Sequence, residues 1–336
     1  AGAKASDSFG IAGSFSYVDH NSNSTARIAD GVTVSGKDVT VYAGNLKTGI
    51  SWLGGVAKGK SLGFGITVGI NDVDRDVYAV IGNINPMSGS FDQANPGVIP
   101  ETDTSIDVTG SIKVDAKATG WNGIFSVAAA VADGKPQPVT KSKTGSTGSK
   151  NPASSTPTSA VGLSGNVSNN VFDDHVQAIV YDAGELKTDD TLEIIALNDT
   201  KLYSIGGAVA FATTVGSNSS VGLAGAAGWN EITGSTKAYI YGAGNSSGST
   251  KKLQLEAGKL RVDAKNDSWL FSITAGGSGA TGTGGNVSAS LAGSFSFNSL
   301  TSETVSLIDH VSGTLTLANA VSAAKVTNSG QINTGD

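Results

Sequence analysis

Three carboxylates at spacing two, Asp72, Asp74 and Asp76, stand in the stretch GFGITVGINDVDRDVYAVI, residues 63 to 81. That spacing matches the first three ligands of a calcium loop, where hard carboxylate oxygens suit a hard cation. A complete EF-hand would continue with glycine at the sixth position and glutamate at the twelfth, but the chain has Val77 and Asn83 there. The triplet is therefore a candidate calcium site, Asp72, Asp74 and Asp76, with a solvated polar turn as the competing reading.

The histidines His20, His175 and His310 are the side chains able to shuttle protons near neutral pH. Each follows an aspartate, Asp19, Asp174 and Asp309, but neighbours on a strand point to opposite faces, so surface positions are expected. A polysaccharide-degrading enzyme would need paired carboxylates across a groove, with cationic and aromatic companions. Asp173 and Asp174 with His175 and Lys187 are the best such cluster. The strings GGVAKGKS (54–61), GSGATG (277–282) and GKSLG (59–63) match the phosphate-loop, dinucleotide and nucleophile-elbow patterns, but no helix is expected after any of them as those motifs require, and no zinc motif occurs, so no cofactor other than calcium is expected.

The elements that would position these groups are legible from composition. The chain has 336 residues, 46 of them glycine, with 38% hydrophobic and only 15% charged residues. Such a balance suits many strands with small side chains in tight layers. It contains no cysteine, hence no disulfide framework, which fits an exported bacterial protein. Arginines are few, and no basic stripe exists that would neutralise phosphates, so nucleic acid is not an expected partner. The longest apolar run, 125 to 132, is interrupted by Ser126 and is far shorter than the roughly 20 residues of a membrane helix. The chain opens in mid-pattern with AGAKASDSFG, which reads as an excised or processed segment.

Self-comparison places residues 63 to 81 in line, without a gap, with 10 to 28, 162 to 180, 222 to 240 and 290 to 308. The second column holds Ile11, Phe64, Leu163, Leu223 and Leu291, with small residues between the apolar ones, which is the period-two signature of a strand with one apolar face. Near the end, Ala26, Ala79, Ala178, Ala238 and Ser306 share a column. Between these blocks lie DVTVYAGN, SIKVDAKA, TLEIIALN and KLRVDAKN, followed by Trp52, Trp121, Tyr203 and Trp269. The aromatics are expected to cap the packing of each unit. Each unit is read as several short strands joined by polar turns.

Five degenerate repeats result, at about 1–48, 49–120, 121–200, 201–267 and 268–336, with loop insertions at 84–104 and 133–159. A unit that cannot bury its own apolar face is stabilised by its neighbours, so the expected fold is all-β, a parallel β-helix (β-solenoid) with loop insertions, of ten or more thin coils. Seven Asn-x-Ser/Thr triplets occur, an expected chance yield in so Asn-, Ser- and Thr-rich a chain.

The combination of a VxVxA motif, a following Trp or Tyr, GxGxxVxxN and xAxI resembles the passenger regions of giant bacterial surface adhesins. These are the filamentous-haemagglutinin-like and leukotoxin-like proteins exported by two-partner or autotransporter secretion. The resemblance is clearest in WLGGVAKGKSLGFGITVGINDVDRDVYAVIGN, residues 52 to 83. It implies a right-handed β-helix, a secreted or cell-surface location and a non-catalytic adhesive role toward a host-cell or bacterial surface receptor or glycan. A self-assembling filament subunit, pairing end to end, and a β-helical polysaccharide-degrading enzyme are the alternatives.

Overall fold

The computed structural model describes residues 2–4, 9–82, 104–134, 159–181, 183–215, 218–242, 253–284, 287–309, 311–312, 325–328 and 331–335. The two expected insertions lie mainly outside these residues, as does His310. Among the described residues every regular element is a strand: β1 (Gly2–Lys4), β2 (Phe9–Ile28), β3 (Thr33–Gly36), β4 (Val39–Gly59), β5 (Leu62–Gly82) and β6 (Ser105–Val108). There follow β7 (Ile112–Asp133), β8 (Ala160–Tyr181), β9 (Glu185–Val215), β10 (Ser220–Tyr241), β11 (Leu253–Asn266) and β12 (Trp269–Thr283). The last are β13 (Ser288–Leu300), β14 (Glu303–Asp309), β15 (Val311–Ser312), β16 (Lys325–Asn328) and β17 (Gln331–Gly335).

Among the described residues all pairings are parallel and fall into two sheets. The first runs β1-β4-β7-β9-β11-β15, with β12 on the second half of β9; the second runs β2-β5-β8-β10-β13, with β14 on β10. The chain alternates between them: β4 leads into β5 through Lys60 and Ser61, and β9 into β10 in the same sense. Parallel neighbours cannot be joined by a tight hairpin, and here each return passes through the other sheet.

Side-by-side register follows the sequence columns. Gly10 pairs with Gly63, Gly63 with Gly162, Gly162 with Gly222 and Gly222 with Ser290. Residues that align in the sequence are thus lateral neighbours in the second sheet.

The units are not several short strands. β2 has 20 residues, β4 and β5 have 21 each, and β7, β8 and β10 have 22. Polar stretches that read as turns, such as Asn71 to Asp76, stay in the ladder. Their backbone bonds continue whatever the side chains are, while the polar groups alternate between the outer face and buried lateral hydrogen bonds.

Along each strand the interior changes character. In the half remote from the β4–β5 turn, Val41, Val77, Ile81, Ile112, Val114 and Ile194 belong to one buried core between the sheets. Lys113 and Asp115, which alternate with these, face outward and pair with each other at 2.9 Å. In the half next to the turn the order inverts. Gly63, Gly65, Thr67 and Gly69 of β5 face Ala128, Ala130 and Ala132 of the other sheet, while Phe64, Ile66, Val68 and Ile70 point out. The sheets approach so closely that a Cβ at Gly63 or Gly65 would collide with the Val131 or Ala129 carbonyl oxygen.

The apolar second column of the repeat therefore does not enter the core, whereas the Ala79, Ala178 and Ala238 column does. Ile11, Leu223 and Leu291 are exposed and Phe64 and Leu163 half-buried, all on the outer face of the second sheet. The aromatics that follow the VxVxA motif lie on the outer face: Trp52 is 73% exposed and stacks on Phe125 with ring centroids 4.6 Å apart, while Trp121, Tyr203 and Trp269 pack edge to face from unit to unit. A strand with large apolar residues on one face and glycine on the other can be buried by its neighbours from either side, so period-two patterning does not say which face is inside.

Candidate functional site

Asp72, Asp74 and Asp76 share the outer face of β5, because they are separated by two while Val73, Arg75 and Val77 are buried on the inner face. Asp72 is exposed, and Asp74 and Asp76 are half-buried. In the flanking strands, Asp72 lies beside Asp19, Asp74 beside Asp173 and Asp76 beside His175. An acidic ladder thus crosses three strands. Like charges directly opposite one another disfavour ionisation, and burial together with Asp76 and Asp173 raises the Asp74 pKa above the usual carboxylate range.

The ladder carries its own counter-charge. His175 Nε2 lies 3.6 Å from Asp173 Oδ2, and its Nδ1 is 3.1 Å from the Ser235 hydroxyl. The Asp173 carboxylate raises the His175 pKa and is itself lowered by the imidazole, with a 3.1 Å hydrogen bond from Thr233 adding to the effect. The Tyr78 hydroxyl donates to Asp76 at 3.0 Å, and burial with that carboxylate keeps the phenol protonated. Among the described residues no three histidine, aspartate or glutamate side chains converge as metal ligands. The carboxylates form a row on one face rather than a cage.

The proposed catalytic cluster is not brought together. Asp173 and His175 point outward, whereas Asp174 points inward and is buried. Lys187 lies near the start of β9, in the other sheet, and reaches Glu256 at 4.0 Å. His20, on the inner face of β2 beside Val73, has its pKa lowered by burial and by Lys47 and Arg75.

What sequence reading missed is the partner of Asp174. Arg75 Nε donates to Asp174 Oδ1 at 2.7 Å and Nη2 to Oδ2 at 2.6 Å, a two-pronged pair with both side chains almost wholly buried. Arg75 Nη1 also donates to the Thr119 carbonyl at 3.0 Å, and Thr200 donates to Asp174 at 2.6 Å. Beside it runs a buried asparagine ladder. Asn71 Nδ2 donates to Asn170 at 3.2 Å, Asn170 to Asn230 at 2.6 Å, and Asn230 to Asn298 at 2.9 Å. Both features could have been found, since Arg75 and Asp174 share one column of the repeat and the four asparagines share another.

No protein-family model, no curated protein and no solved structure matches this chain.

Proposed function

We propose that the chain is a segment of an extracellular bacterial surface protein, a right-handed parallel β-solenoid that acts as a non-catalytic adhesin. Each turn would contribute one long strand to either sheet, and parallel crossovers of this kind are right-handed in about 98% of cases. The observation that carries the reading is the register: side chains of like position line up strand after strand, so both outer faces are built as continuous rows. Such rows suit the multivalent engagement of an extended surface. The partner is a host-cell or bacterial surface receptor or glycan. The resemblance to giant adhesin passengers points the same way.

The test is surface labelling of intact producing cells with an antibody to this segment, paired with adhesion of beads coated with the purified chain. Surface signal and bead attachment that the soluble chain inhibits are expected. Saccharide release from a polysaccharide, abolished by Asp173→Asn, would replace adhesion with catalysis.

A filament subunit is the second reading, favoured by one observation. β2, 20 residues long, pairs among the described residues with β5 alone, which leaves a long strand edge open to another copy. Ordered fibres from purified protein would support it.

A further inference from the structure

The turn-side half of the molecule is apolar on both outer faces. On the second sheet the row Phe64, Leu163, Leu223 and Leu291 and the row Val68, Val167 and Phe295 flank glycines 165, 225 and 293. Over the glycines, along the Phe64, Leu163, Leu223 and Leu291 row, lies a groove of about 540 Å³. On the first sheet the outward positions include Trp52, Val56, Phe125, Val127, Val209 and Phe211. Charge is absent here: residues 48–57, 61–71, 202–215, 218–230 and 268–284 contain no Asp, Glu, Lys or Arg.

The edges of this zone are sharp. On the second sheet it stops at one lateral row holding Asp19, Asp72 and Glu231. Just inside that row stand Tyr17, Trp229 and Phe297; on the first sheet Trp121 and Trp269 flank Lys201 at the boundary. At the other end the turn carries Lys58, Lys60 and Ser61. From Leu62 to Ile70 the apolar outer positions of β5 extend roughly 26 Å at about 3.3 Å per residue. That is close to the roughly 30 Å thickness of bilayer hydrocarbon, and amphipathic aromatics are the residues that mark its border.

We propose that this half of the protein is immersed in the acyl chains of a lipid bilayer, entering turn-first. A protein partner docks on one patch, whereas two opposed charge-free faces fit a solvent that surrounds them. Ser164, Asn166 and Ser168 of β8 are kept away from lipid between the sheets. Open strand edges are not tolerated in hydrocarbon, so immersion also requires that β2 and β13 pair with neighbouring strands, as in a row of copies.

The experiment is flotation of the 336-residue chain with phosphatidylcholine liposomes, with tryptophan emission read in parallel. Co-flotation without anionic lipid, a blue shift and quenching by brominated acyl chains are expected. Phe211→Glu and Leu223→Glu, one on each face at positions 50% and 40% exposed, should retain the circular dichroism of the parent and lower partitioning at least tenfold. Leu223→Phe should float like the parent. The proposal is overturned by a folded chain that stays in the aqueous phase, by binding that needs anionic lipid, or by flotation without quenching. It is equally overturned by flotation indifferent to both glutamates, or by copies that stack face to face and that lipid does not disperse.

Discussion

Arg75 and Asp174 are 99 residues apart in sequence and adjacent in the second sheet, joined by two hydrogen bonds of 2.7 and 2.6 Å with no water-exposed surface to speak of. The pair sits where the large-residue core meets the small-residue layer. It fixes which residue of β5 lies beside which of β8, because a slip of one turns Asp174 to the outer face and, in one direction, sets His175 in place of a carboxylate against the buried Arg75. Removing either partner leaves a buried charge alone, and Asp174→Leu or Arg75→Met should each cost about 3 to 5 kcal/mol. The double variant Arg75→Met/Asp174→Leu should recover most of that loss. Urea denaturation of the four proteins as a double-mutant cycle measures it.

The asparagine ladder makes a graded prediction. Asn170 both accepts from Asn71 and donates to Asn230, so Asn170→Ala strands two buried groups and should cost about 1 to 3 kcal/mol. Asn298, half-buried at the end of the row, should cost less when replaced. Denaturation midpoints of the two variants compare them directly.

Glycines on opposite faces of the second sheet should respond oppositely. Gly65 points at the Ala129 backbone of the facing sheet, whereas a Cβ at Gly165 meets nothing within 4 Å. Gly65→Val should destabilise by about 3 kcal/mol or more through overpacking against backbone that cannot yield. Gly165→Val should be neutral or mildly stabilising. Thermal melts followed by circular dichroism separate the two.

The histidines should titrate in opposite directions from the ordinary value of about 6.5. His175 is raised by Asp173, so its charged form is favoured in the fold. Its contribution is present below the unfolded pKa and is lost as pH rises through the folded value. His20 is lowered by burial and by Lys47 and Arg75, so the fold disfavours its charge and stability drops as pH falls below the unfolded pKa. NMR titration should give His175 the higher midpoint, and Asp173→Asn should bring it down.

Much of this was readable from residues alone. The five aligned stretches predicted lateral neighbours, and the registry of Gly10, Gly63, Gly162 and Gly222 follows them. Strand alternation correctly placed Asp174 and His175 on opposite faces. The strand lengths were not legible, because Asp72 to Asp76 looks like a turn when its backbone pairing is unseen. Nor was the direction of the faces: Leu223 and Gly222 alternate equally well whichever is inside. What decides it is the approach of the glycine-rich β5 to the alanine-rich half of β7, a relation that no single stretch contains.

The inversion of the turn-side half is the claim on which the rest depends, and β10 offers its most direct test. The chain has no cysteine, so single-cysteine variants across residues 221 to 230 can be labelled with a water-soluble maleimide without background. In the lipid-free chain, odd positions such as Leu223, Gly225 and Ala227 should react quickly, and even positions such as Ala224, Ala226 and Gly228 slowly. The reverse pattern, with even positions reactive and odd ones protected, would mean that the large apolar residues form the interior and would contradict the structure described above.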